Sequence, residues 1–491
     1  MALTKLSLDQ QDSRIFNTVA LMVAGTKLNV GERVRTLGHA SIDGGGGNDY
    51  EIVAAGTGTH DNGSYIDLTG SGFQAKCLFT YGVSTKAWGL PTGGDDYTRL
   101  QSFFDYCDTN SVTKSEILGS MQTSQGLVWI GNNILSSCKI DCYITATQAM
   151  ATVLTMTSLR YCYFDGMLNV SGHGGTTYTN RTCNNGIIIS DVSRSIFEYI
   201  NVRDVIEWGV IIDNSAGGGN NLVEFGQVKT NYCGTRDVTG TNAETGNWSS
   251  IVNSGSSGSA SQRSTISVDS IPSFIAVDGV LIINSEIYAI MAIDTGAGTV
   301  DVYPWIDNTI GSTGVLAYVV GGGLHIYGAD SGIITINHRD SASNAIGTRM
   351  SSLYSPIISG HVSQGDMIGL LHGKDIASAN KGGSIDGFYN EGTTLFNYVK
   401  LTSDTVSGLA IRGSYTANNF DMPKYLQIGP RLTSNGFGAS GTTIKGVSIQ
   451  FPTGVFESKQ TSQNSKGSTQ NVYLYDKDPT FWVVNNSNLN W

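Results

Sequence analysis

Residues 186–208 read GIIISDVSRSIFEYINVRDVIEW, and residues 209–233 read GVIIDNSAGGGNNLVEFGQVKTNYC. Set one above the other, each opens with a short apolar run. Each then crosses a polar, Gly- or Ser-bearing turn and closes on a second apolar run. An earlier piece, YFDGMLNVSG at 163–172, matches the middle of both. A β-rich repeat in the low twenties of residues is the mark of a solenoid of stacked parallel strands. No single coil can bury its apolar face alone, so stacking creates one continuous core.

The rest of the chain agrees with an all-β solenoid. Of 491 residues, 62 are Gly and only 8 are Pro, while 40% are hydrophobic and 14% charged. Glycine supplies tight turns, and the apolar fraction is too high for a disordered chain. The net charge is −11, with 29 basic and 40 acidic residues. No basic cluster could neutralise a phosphate backbone, so nucleic acid is excluded as a partner. The longest apolar runs, such as GVLII at 279–283, are far too short to span a bilayer, so no membrane insertion is expected. The amino-terminal MALTKLSLDQQDSRIF has no signal-peptide core, which implies synthesis in a cytoplasm. Seven cysteines (Cys77, Cys107, Cys138, Cys142, Cys162, Cys183 and Cys233) show no CxxC spacing and read as buried thiols. Nothing in the sequence calls for a metal or cofactor.

Five parts are expected. Residues 1–82 form a compact module in which RIFNTVALMVAGT is a short helix. VGERVRTLG and NDYEIVAAGTG are strands, joined by a turn over Asp43–Asn48. The GGGG at 44–47 lacks the following Gly-Lys-Ser/Thr of a phosphate loop, so it reads as a turn. Residues 83–244 form the first part of the solenoid. After the Ser/Gly-rich NSGSSGSASQRS at 253–264, hairpin punctuation marks 245–322 as a small inserted β domain. Coils resume over 323–415, and 416–491 reads as a separate antiparallel β segment that closes the solenoid or clamps neighbouring chains.

The stretch LNVGERVRTLGHASIDGGGGNDYEIVAAGTGTHDNGSYIDLTGSGFQAKCLF, residues 28–79, resembles the small module that opens many bacteriophage tailspikes. In that family it precedes a pectate-lyase-like right-handed parallel β-helix, capped by a short α-helix. Here AWGLPTGGDDYTRLQSFFDYC at 87–107 is similar to the capping phrase. Gly93, Gly94, Asp95, Asp96 and Thr98 fit loosely, and Leu100, Phe103 and Phe104 supply an apolar helix face. The resemblance implies a homotrimer on a virion tail, attached to other tail or baseplate proteins through residues 1–82. It also implies a bacterial surface polysaccharide, O-antigen or capsule, as the partner that is bound and cleaved. A non-enzymatic receptor-binding fibre and a polysaccharide lyase are the alternatives.

Stacking the coils produces a column of acids. YFDGMLNV, IFEYINV and LVEFGQV align Asp165, Glu198 and Glu224. Alternation along a strand sends Phe197 and Tyr199 inward and Glu198 outward, and Val223 and Phe225 do the same for Glu224. Neighbouring coils put carboxyls about 5 Å apart, and alternate coils about 9–10 Å apart. Those separations bracket retaining and inverting glycoside hydrolysis. One member of such a pair should have a raised pKa and act as the acid. Asp204, Glu207 and Asp213 lie on nearby coils as further acid candidates. The column contains no cation in the aligned segments, which tilts the reading from lyase toward hydrolase. A solenoid's outer surface is polar in any case, so a solvated stripe is the competing reading.

Tyr161, Tyr163, Tyr199, Trp208 and Tyr232 are aromatic candidates for stacking on a sugar ring; most of them, Tyr199 above all, read as core rungs, and Trp208 beside Glu207 stands out. His338, Arg339 and Asp340 form a second cluster that a lyase could use for proton abstraction beside a sugar carboxylate, with Arg339 a substrate-binding candidate; a surface ion network is the competing reading. His361 and His372 read as ordinary. The acidic net charge opposes a strongly anionic polymer.

Overall fold

The computed structural model describes residues 14–79, 82–131, 136–213, 222–235 and 245–254 without a break, and most of 263–372. Beyond 372 it describes only the backbone of eight short strands. The serine and glycine run at 255–262 lies outside the described residues.

Apolar strands of the repeat alternate between two sheets, one of 15 strands and one of 9. Every pairing between successive coils is parallel, as where Cys162–Ser171 lies between Ser136–Ala146 and Ile196–Val205. This is a parallel β-helix. The larger sheet is itself bent: Ile334–Ala342 pairs with Ile357–Ser359 over its first half and with His361–Gln364 over its second. The sheet therefore turns a corner here, and the next coil repeats the split as Ser384–Asp386 and Tyr389–Glu391.

Inside, side chains stack in register. Phe164, Phe197 and Phe225 are almost wholly buried, with ring centroids 4.5 and 5.1 Å apart and planes within 11° of parallel. Trp129 and Phe104 continue this ladder to the end of the solenoid. Phe104 belongs to the helix Tyr97–Thr109, which buries Leu100, Phe103, Phe104 and Cys107 over the first coil. Asp96 ties the helix start to the coil, accepting from the Thr92 and Gln122 backbone amides at 2.9 and 3.0 Å. All seven cysteines are buried and unpaired by disulfides.

The amino-terminal residues form a five-stranded sheet. The expected helix over RIFNTVALMVAGT is mostly absent: Arg14–Thr18 is a strand paired with Arg33–Gly38, and only Val19–Val23 is helical. Isoleucine and phenylalanine favour the strand, and Thr18, whose side chain accepts from the Leu21 amide at 3.3 Å, starts the short helix. The glycine turn packs closely on the start of the solenoid. A Cβ at Gly46 (φ +74°) would lie 2.1 Å from the Lys86 carbonyl.

Between 245 and 319 six antiparallel strands close into a barrel inserted in one coil. Its Val280, Ile282, Ala317 and Val319 pack against Trp208, Ile211 and Ile346 of the solenoid. The tail differs from the expected separate antiparallel segment. Ala410–Thr416, Thr443–Gln450 and Asn471–Tyr475 continue the large parallel sheet, and only Trp482–Asn485 turns back antiparallel. Alternating strand patterns look alike in either sheet type, because orientation is set by the connections.

Candidate functional site

The corner of the bent sheet carries the carboxyls. Strand Cys162–Ser171 has two residues between Phe164 and Met167 where its neighbour Ile196–Val205 has one between Phe197 and Tyr199, so the register slips there. The extra residue is Gly166, at φ +106°, where a Cβ would sit 2.2 Å from the Ile140 carbonyl. A bulge of this kind re-aims side chains beside it. Here it turns the Gly166 amide outward to donate to Glu198 Oε2 at 3.1 Å. The Tyr163 hydroxyl donates to Glu198 Oε1, and Asp165 of the same strand lies beside Glu198.

Glu198 is the member held ionised. Its pKa lies below the usual carboxylate value, first because Tyr163 donates to it and further because of the Gly166 amide and the neighbouring Asp165. The expectation that one pKa of the pair is raised does not hold for Glu198, since the donors outweigh its slight burial. The Tyr163 phenol is pushed up to about 12 by the same bond. Tyr163, Met167 and Ile196 are exposed around the pair, at 39%, 37% and 39%.

Glu224 does not join them. Phe225 pairs with Phe197, so Glu224 sits opposite Ile196, two residues away from the Glu198 position, which Gly226 faces. Glu224 accepts instead from Asn337 Nδ2 at 2.7 Å on the next coil. Tyr199 points outward rather than into the core, because Phe197 and Ile200 are the buried neighbours. Its surroundings are Lys229, Asp340 and Tyr143. The column is not free of cations either. Lys139 is the in-register neighbour of Asp165 on the preceding coil, with its Nζ 3.9 Å from Glu116.

The remaining candidates scatter. Glu207 lies in the turn after Ile196–Val205, partly buried, its pKa raised by that burial despite a 3.3 Å bond from Asn185. Asp213 ends the strand Trp208–Asp213 in the nine-stranded sheet, on another side of the solenoid. Trp208 is only 8% exposed, tilted on His325 at 4.6 Å, and cannot offer a face to a sugar. Tyr232 is half-buried with φ +55° at the end of Val223–Cys233.

Arg339 is wholly buried inside the solenoid. It donates to Thr348 Oγ1 at 3.0 Å, Thr230 Oγ1 at 2.7 Å, and the Val228 and Gly347 carbonyls at 3.1 and 2.6 Å. Burial lowers its pKa to about 10. It is part of a polar interior that also takes in Asn344, Asp366 and His361, whose ring lies 3.0 Å from Thr348. The His338–Arg339–Asp340 cluster is thus split by strand alternation, and Asp340 faces out to Lys229 at 2.9 Å. The His372 side chain lies outside the described residues.

Asp204 occupies a different setting. It is 2% exposed, at φ +63°, with Arg203 Nε 2.5 Å from its Oδ2. It lines a cleft of about 520 Å³ together with Tyr143, Asn169, His173, Asn201 and Arg203. Residues other than Asp204 were not singled out from the sequence. The signal was there in the Asn shared by MLNV and YINV, because Asn169 and Asn201 are register partners. Among the described residues, no three His, Cys, Asp or Glu side chains gather as a metal site would need.

No family model matches the chain, and no curated protein matches it. The similar solved structures include three phage tailspikes. The enzymatically active domain of tailspike protein 2 from bacteriophage CBA120 is 14% identical with a TM-score of 0.36, covering 88% of this chain and 56% of its own. An Acinetobacter phage tailspike is 12% identical with a TM-score of 0.40, covering 89% and 64%. The tailspike of Acinetobacter baumannii bacteriophage Fri1, a capsular polysaccharide depolymerase, is 13% identical with a TM-score of 0.33, covering 92% and 75%. The chain thus spans only 56% of the first of these proteins.

Proposed function

We propose that this chain binds and cleaves a bacterial surface polysaccharide, with Asp165 and Glu198 as the working pair. The observation that carries the reading is their contact across neighbouring coils, with Glu198 held ionised by Tyr163 and the Gly166 amide. Strands about 4.8 Å apart match the separation of about 5–5.5 Å that retaining hydrolysis uses. In that chemistry Glu198 attacks the anomeric carbon while the bond to the leaving oxygen breaks. Asp165 gives its proton to that oxygen, then takes one from the water that hydrolyses the glycosyl ester. The resemblance of residues 28–79 to a tailspike module supports placement on a phage tail, as a homotrimer joined to other tail proteins through that module.

Lys139 favours a second reading, elimination from a uronate-bearing glycan. A cation beside the pair would neutralise the sugar carboxylate and ease abstraction of the neighbouring proton. Assays on purified candidate host polysaccharides separate the readings. Reducing ends without new ultraviolet absorbance support hydrolysis, whereas absorbance of an unsaturated uronate supports elimination. Full turnover in both Glu198→Gln and Asp165→Asn removes the pair from either mechanism, and binding without products leaves a receptor-binding fibre.

A further inference from the structure

The cleft beside Asp204 has two buried oxygens whose needs are unmet. Asn201 Oδ1 and Asp204 Oδ1 are both shielded from solvent without a hydrogen-bond donor. The rest of each group is committed: Asn201 Nδ2 donates to Asn169 Oδ1 at 2.9 Å, and Arg203 holds Asp204 Oδ2. Leaving a buried acceptor unpaired is costly, and such groups mark places where a partner is missing. The left-handed backbone of Asp204 adds strain of the kind that collects at functional sites.

The walls are rigid. Arg181, 4% exposed, pins the loop through the Gly234 and Thr176 carbonyls at 3.1 and 2.5 Å. His173 Nδ1 lies 2.8 Å from Thr182 Oγ1. Tyr143, which also lines the cleft, is 51% exposed and presents a ring for stacking. A volume of about 520 Å³ falls in the range of roughly 300–1,000 Å³ usual for small-molecule sites.

We infer that this cleft is a recognition subsite for an uncharged sugar unit that donates hydroxyl or acetamido N–H groups to Asn201 and Asp204 and stacks on Tyr143. The chemistry follows from the acceptors. At the two orphaned oxygens a carboxylate-bearing unit would set acceptor against acceptor, and Arg203 Nε is already committed to Asp204 Oδ2. Asn201 lies three residues along the strand from Glu198, roughly 10 Å at about 3.3 Å per residue, so one glycan reaches both. In this the inference rests on the cleavage reading, while the binding itself does not.

The test is saturation-transfer NMR on the full chain with N-acetylglucosamine, and with glucuronate as the contrasting probe. Transfer to N-acetylglucosamine that weakens at least about tenfold in Asn201→Leu, and clearly in Tyr143→Ala, supports the subsite. Tyr143→Ala alters an exposed side chain, so it remains informative if the buried change unfolds the chain. No transfer to N-acetylglucosamine, equal transfer to glucuronate, or transfer unchanged in both variants overturns it. Glu198→Gln keeps the binding signal, so loss of cleavage and loss of this subsite are read separately.

Discussion

Replacing Gly166 by alanine tests the chain of reasoning from sequence to site. At φ +106° a side chain costs about 1–3 kcal/mol in backbone strain. The added Cβ would stand 2.2 Å from the Ile140 carbonyl on the preceding coil. Backbone cannot yield as a flexible side chain does, so the coils must part locally and give up a ladder hydrogen bond of about 1 kcal/mol. Together these give a destabilisation of about 2–4 kcal/mol. The Gly166 amide also leaves Glu198, so turnover should fall further than stability accounts for. Gly93→Ala is the control, with φ +78° but nothing within 4 Å of the new Cβ. It carries the strain and not the clash. Urea unfolding followed by both circular dichroism and tryptophan fluorescence, beside polysaccharide depolymerisation on the same samples, reads both quantities. A Gly166→Ala chain as stable as Gly93→Ala, with full turnover, would refute the bulge as the device that builds the site.

Tyr163→Phe removes the largest influence lowering the Glu198 pKa. That pKa rises toward its ordinary value, so the acid limb of the pH–rate profile moves to higher pH, and an unmoved limb counts against Glu198 as the ionised nucleophile. Arg339→Met takes the guanidinium donor from the Val228 and Gly347 carbonyls and leaves Thr230 Oγ1 with Asn344 inside the solenoid. A loss of about 3–5 kcal/mol in stability is expected, and a KM effect with unchanged stability would instead restore it as a substrate ligand. Phe197→Ala empties one rung between Phe164 and Phe225 and should cost about 3–5 kcal/mol by urea titration.

The parallel β-helix was legible in the repeated apolar runs at 186–233, since coil period and strand alternation are written locally, residue by residue. The Leu100, Phe103 and Phe104 face of the capping helix was legible for the same reason. Asp165 and Glu198 were also found, because aligning Phe164 with Phe197 places them side by side. What alignment could not show was register. Strand alternation breaks at Glu198 and Tyr199, which both face out between the buried Phe197 and Ile200, and pairing Phe225 with Phe197 put Glu224 two positions away from the pair. Arg339 and Trp208 looked like surface ligands until their strands were given an inside and an outside. The cleft at Asp204 draws its walls from separate strands and a pinned loop. Local patterning determined that the chain winds into coils; only the packed stack decided which side chains meet, because contact between coils depends on bulges and loop lengths that no single coil encodes.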